Sequence, residues 1–89
     1  LERVIGMSET KTKVRFHDAE EVEEFVDAAS KCDFDINIFY NRIIIDAKSI
    51  LGVLSLDLTR ILTVQFNGEN QGFEEYLETI SPEANASAA

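Results

Sequence analysis

The sequence predicts an α+β domain in which helices cover one side of a four-stranded, mainly antiparallel sheet. Three observations lead there. Stretches with apolar residues at every second position interleave with stretches spaced three and four apart, so strands and helices alternate in the order β-α-β-β-α-β-α. The two middle strands are joined by Asn41-Arg42 alone, a link far too short for a parallel crossover. Each strand offers a single apolar face, which one helical layer satisfies. With 89 residues, 45% of them apolar, the chain makes one small domain. A domain of this size buries roughly 60–65% of its unfolded surface around one modest core.

The elements follow in order. Val14 and Phe16 alternate with Lys13 and Arg15, which predicts a short first strand with His17 facing outward beside Arg15. Asp18 reads as a helix N-cap, with Glu21 three residues on completing a capping box. Val22, Phe25, Val26 and Ala29 then form the apolar stripe of a helix over 19–31, with Glu20, Glu23, Glu24 and Asp27 opposite. Asp27 and Lys31 stand in the favourable order for an i,i+4 pair. Phe34, Ile36, Ile38 and Tyr40 mark a strand over 33–40, and Asn41 tolerates the left-handed backbone of a hairpin turn. The returning strand runs from Ile43 to Ala47. Ser49 caps a short helix containing Ile50, Leu51, Val53 and Leu54, which Gly52 weakens by about 1 kcal/mol relative to alanine. Leu62, Val64 and Phe66 share one face of a strand over 60–66, and the NGENQG loop is rich in turn residues. Phe73, Tyr76, Leu77 and Ile80 form the stripe of a last helix that Pro82 stops. Residues 1–10 read as an N-terminal extension, 11–81 as the domain and 82–89 as a flexible tail.

Composition excludes several functions. The net charge of −9 leaves no basic stripe for phosphates, so no nucleic acid is expected as a partner, and no anionic membrane either. Basic protein surfaces are the natural counterparts. No apolar run approaches the roughly 20 residues of a membrane span, and no secretory leader is visible. Cys32 stands alone, which fits a reducing cytoplasm and a small apolar filler. Asp33, Asp35 and Asn37 imitate the start of a calcium loop, but Ile38 and Ile44 fall where its glycine and bidentate glutamate belong. One histidine and one cysteine make no zinc site. No metal, cofactor or enzymatic activity is expected.

The element order, together with ASKCDFDINIFYN at 29–41 and AKSILGVLSLDL at 47–58, resembles the HPr family, the small phosphocarriers of the bacterial sugar phosphotransferase system. Lys48 to Leu56 is similar almost position for position to the family segment K-S-I-M-G-V-M-S-L. The resemblance runs from about Phe25 to Ile80. It implies an open-faced β-sandwich, an antiparallel four-stranded sheet with three helices on one side. It also implies cytoplasmic partners: an enzyme of the phosphotransferase system, a serine kinase or a transcriptional regulator, met by a monomer.

The family carries its phosphorylatable histidine in an H-x-R-P motif at the start of the first helix. Counted back without gaps from ASKCD, the histidine position falls on Asp18, the arginine on Glu20 and the proline on Glu21. The first strand also runs into the helix by a shorter connection than the family's glycine-containing loop. The resemblance thus departs at the active site, and the leading expectation is a non-catalytic, regulatory protein-binding domain. The alternative is a phosphocarrier that uses His17, where a phosphoryl group would face Asp18, Glu20 and Glu21. Ser49 matches a serine that a dedicated kinase phosphorylates in many members of the family, although it is equally a plain N-cap serine. Ile50, Leu51, Val53 and Leu54 resemble the family's apolar docking patch.

Overall fold

The structure is a computed structural model and describes residues 9–82. Most of the expected extension and tail lies outside the described residues. The elements are β1 (Thr10–Val14), α1 (Ala19–Ser30), β2 (Ile36–Tyr40), β3 (Ile43–Asp46), α2 (Ile50–Leu54), β4 (Leu62–Phe66) and α3 (Gln71–Thr79). The four strands form one sheet in the order β1-β4-β2-β3, with every neighbouring pair antiparallel. This is the expected architecture.

One face of the sheet carries the core. Val14, Ile36, Ile38, Leu62, Val64 and Phe66 are buried there beneath Val22, Phe25 and Ala29 of α1, Val53 of α2, and Phe73 and Leu77 of α3. Five phenylalanine rings run through this layer in unbroken contact: Phe16, Phe25, Phe73, Phe66 and Phe34, with successive centroids 5.4, 6.1, 5.4 and 5.8 Å apart. No buried polar or charged side chain occurs among the described residues, so apolar packing holds the two layers together. The sixth phenylalanine, Phe39, has the other parity along β2 and faces the open side with Ile44, its partner in β3.

Several boundaries differ from the sequence expectation, each for a local reason. β1 begins at Thr10, within the expected extension, because Thr10 pairs with Phe66. It ends at Val14 rather than Phe16, since the Arg15 N–H turns outward to the Ile80 carbonyl at 2.8 Å. Phe16 leaves the strand but stays buried, edge-on to Phe25. β2 starts at Ile36, because Phe34 is used as a half-buried stack against Phe66. That ring also dictates Gly68, where a Cβ would lie 2.5 Å from the Phe34 ring. β4 starts at Leu62, because Asp57 captures the preceding chain. Its carboxylate accepts from the Thr59 N–H and hydroxyl and from Arg60 Nε. These bonds hold the Asp57 carboxyl below its ordinary pKa, the Thr59 hydroxyl contributing most. α3 ends at Thr79, ahead of Pro82, and Asn70 caps its start by accepting from the Phe73 N–H at 2.9 Å. At the hairpin, Asn41 adopts φ 55°, the left-handed turn expected of it.

Candidate functional site

Two helix N-termini hold the candidate residues. At the start of α1, Asp18 is fully extended (φ −159°, ψ 174°) and its carboxylate accepts from the Glu21 N–H at 2.9 Å. This is the expected cap, but its reciprocal half differs. The Glu21 carboxylate reaches one residue further back than a capping box, accepting the His17 N–H at 2.7 Å. The same Oε1 lies 3.1 Å from His17 Nδ1, so one carboxylate oxygen engages both the backbone and the ring of His17. Sequence spacing predicted the pairing of positions but not the reach, which follows from the extended cap residue. The His17 side chain is about half exposed, at 49%. Asp18 and Glu20 are exposed around it.

A shallow cavity of about 280 Å³ adjoins the imidazole, lined by Arg15, Phe16, His17, Asp18, Leu58 and Thr59 among others. It brings Arg15 beside His17 and joins the α1 terminus to the segment that follows α2. Behind the cap, the Tyr76 hydroxyl of α3 donates to the Glu21 carbonyl at 3.1 Å. Burial, and then the nearby Glu24 and Glu21 charges, push this phenol well above its ordinary pKa, so it stays a donor throughout the physiological range. In the sequence Tyr76 is one member of an apolar stripe. Its hydroxyl has no signature in the spacing.

At the start of α2, Ser49 (φ −103°, ψ 106°) caps with its hydroxyl, which accepts from the Gly52 N–H at 3.1 Å. Three bonds fix it in place. The Asp46 carboxylate accepts the Lys48 N–H at 2.9 Å, and the Asp46 carbonyl accepts the Ser49 N–H at 3.0 Å. Lys48 Nζ donates to the Cys32 carbonyl at 2.9 Å, tying the end of α1 to the start of α2. Asp46 and Lys48 were missed as supports, although an aspartate two residues before the bonded N–H is a recognisable turn signal. Cys32 itself is buried, and burial raises its thiol pKa against the opposing pull of Lys48.

Gly52 has a second role. A Cβ there would lie 2.7 Å from Ile45 Cγ2 and 3.1 Å from Ser49 Oγ, so only glycine lets α2 rest on β3 at this distance. The apolar side chains of α2 then divide. Leu51 is 79% exposed, Leu54 40% exposed and Ile50 half-buried. Val53 is wholly buried, which corrects its assignment to the docking patch. In a helix of five residues one side must face the core, and Val53 occupies it. The exposed surface is therefore Leu51 and Leu54 with the edge of Ile50, next to Ser49.

Asp33, Asp35 and Asn37 do not form a loop, since Asn37 lies within β2 opposite Asp46. Among the described residues no group of three or more histidine, cysteine, aspartate or glutamate side chains is placed to hold a metal ion. Nor is any helix among them long and apolar enough to cross a membrane.

Comparison with known proteins agrees with this fold. The fold is similar to that of HPr-C-His from Thermoanaerobacter tengcongensis, with a TM-score of 0.66 at 22% identity, covering 82% of this chain and 93% of that one. It is also similar to the histidine-containing phosphocarrier protein of Mycoplasma, with a TM-score of 0.60 at 20% identity over 89% of this chain and 96% of that one. Residues 16–84 match the model of the PTS-HPr family, described as the PTS HPr component phosphorylation site. That span starts at Phe16, immediately before the histidine, and takes in both helix termini described above. By this match over most of its length, the chain belongs to the PTS-HPr family of phosphotransferase-system phosphocarrier components.

Proposed function

We propose that this domain is a regulatory, protein-binding member of its family that works in the cytoplasm without a transferable phosphohistidine. One observation carries the reading: the Glu21 carboxylate holds both the N–H and Nδ1 of His17. A phosphoryl group on that nitrogen would displace the carboxylate and then face Asp18, Glu20 and Glu21 at close range. The first turn of α1 offers little compensation, because the N–H of Glu21 is already taken by Asp18. Where the family pattern requires histidine, arginine and proline, this chain has Asp18, Glu20 and Glu21, counted without gaps.

The binding surface in this proposal is Leu51, Leu54 and Ile50. Its partner is an enzyme of the phosphotransferase system or a transcriptional regulator with a basic face, in keeping with the net charge of −9. Ser49 is its regulatory phosphorylation site: exposed, held in a fixed geometry and adjoining the apolar patch. A phosphate there changes the charge next to Leu51 without disturbing the core.

The second reading is a phosphocarrier that uses His17, and the cavity that sets Arg15 beside His17 is what favours it. Incubation with phosphoenolpyruvate and the first enzyme of the system separates the two. An ordinary histidine phosphocarrier serves as the positive control. The expected result is no acid-labile, base-stable phosphate on this chain. Its appearance, and its loss in His17→Ala, would overturn the proposal. Parallel exposure to the serine kinase, read by mass spectrometry, is expected to add one phosphate at Ser49, and an unmodified Ser49 alongside a modified control removes that part of the reading.

A further inference from the structure

The sheet has two edges, and they are protected very differently. Just past the end of β1 the chain is tied to the end of α3, since Arg15 N–H bonds to the Ile80 carbonyl, and β1 itself carries two charged residues, Lys11 and Lys13. Along β3 the sequence from Ile43 to Ile45 is three consecutive isoleucines, with Ile43 55% and Ile44 66% exposed. A β-branched edge of this kind, apolar over three successive residues, is a template for another strand.

Hydrogen-bond parity shows which groups that edge offers. Ala47 N–H donates to the Ile36 carbonyl at 2.8 Å, continuing the register that pairs Ile45 with Ile38 and Ile43 with Tyr40. The odd-numbered residues therefore direct their main-chain groups at β2, and those of Ile44 point away from the sheet. Arg42 and Asp46 flank Ile44 at equal distance in sequence. If a second β3 is laid antiparallel with Ile44 opposite Ile44, then Arg42 of each copy falls opposite Asp46 of the other. Ile43 falls opposite Ile45. β3, taken with the turn residue Arg42 that precedes it, is thus complementary in charge and in hydrogen bonding to itself, as a two-fold interface requires.

We infer that β3 is a self-complementary edge at which two copies of this chain pair antiparallel about a two-fold axis centred on Ile44. Pairing joins the two sheets into one. It also forms an apolar strip on the open face, in which Phe39 and Ile44 of one copy meet Ile44 and Phe39 of the other. This inference is independent of the phosphorylation chemistry above and departs from the expectation of a monomer. The net charge of −9 on each copy opposes association, so the dimer is weak.

Sedimentation velocity over a dilution series up to about 1 mM, paired with amide chemical-shift mapping, tests this. The expected result is a reversible monomer–dimer equilibrium with shifts confined to β3 and Phe39. Ile44→Lys is expected to leave a folded monomer at every concentration, because its side chain is exposed. Arg42→Asp is expected to weaken the dimer about tenfold or more by turning both attractions into repulsions. Arg42→Asp combined with Asp46→Arg is expected to restore association, with circular dichroism confirming the fold. A wild-type chain that stays monomeric at about 1 mM would overturn the inference. So would a dimer that survives Ile44→Lys.

Discussion

The starts of α1 and α2 use the same backbone device for different ends. In both, an extended residue accepts an N–H three positions on, Asp18 from Glu21 and Ser49 from Gly52. At α1 the capping oxygen is anionic and a second carboxylate, that of Glu21, closes over His17. At α2 the capping oxygen is a neutral hydroxyl, flanked by Lys48 and by exposed leucines. The first terminus has its negative charge built in, whereas the second is capped by a neutral group. Within one fold, the site where the family's histidine chemistry is expected is thus the more closed of the two.

Mutations can break this comparison in a graded way. The largest effect is expected within α2 itself. Val53→Ala should cost about 2–3 kcal/mol by emptying a buried position. Leu51→Ala, on the exposed side, should leave stability within about 0.5 kcal/mol while weakening partner binding. Urea denaturation of the two variants checks which face of the helix is structural. Gly52→Ala is next. Helix propensity alone predicts a gain of about 1 kcal/mol. The close approach to Ile45 and Ser49 predicts instead a loss of about 1–2 kcal/mol, so the sign of the measured change decides which governs α2.

Asp18→Ala should cost about 1 kcal/mol through the lost cap. It should also loosen the α1 terminus, seen as faster amide exchange at Glu21, with no change in exchange at Gly52. The smallest effect is expected from Tyr76→Phe, about 0.5–1 kcal/mol at neutral pH. Its pH dependence sharpens the comparison, since the α1 terminus is tied to α3 through this phenol. The folded-state pKa of Tyr76 lies above its unfolded value of about 10, so its stabilisation is complete below that pH and fades as pH rises toward the folded value. Thermal melts from pH 9 to 11 should therefore fall more steeply for the wild type than for Tyr76→Phe.

The elements of this fold were legible in the sequence because their periodicities are long enough to be unambiguous. The stripe of Val22, Phe25, Val26 and Ala29 defines α1, and the alternation of Leu62, Val64 and Phe66 defines β4. Boundaries were less legible where a side chain bonded locally against the pattern, as Asp57 does ahead of β4. In α2 a run of five residues contains four large apolar side chains, so periodicity cannot say which faces inward, and Val53 was misassigned for that reason. At the candidate site the cap at Asp18 followed from residue type and spacing. The grip of Glu21 on His17 did not, because it depends on the extended backbone between them. The Tyr76 hydroxyl and Lys48 Nζ each act through one long-range bond that leaves no local trace.

Cys32 gives the molecule a built-in clock. It is a single sheltered thiol at the junction that Lys48 fastens, and its raised pKa makes it sluggish toward alkylating reagents. Its labelling rate in the native state therefore reports how often the α1–α2 junction opens, with no engineered probe. Docking of a partner on the α2 patch would be read as a slowing of that reaction, in a chain that has no tryptophan to follow by fluorescence.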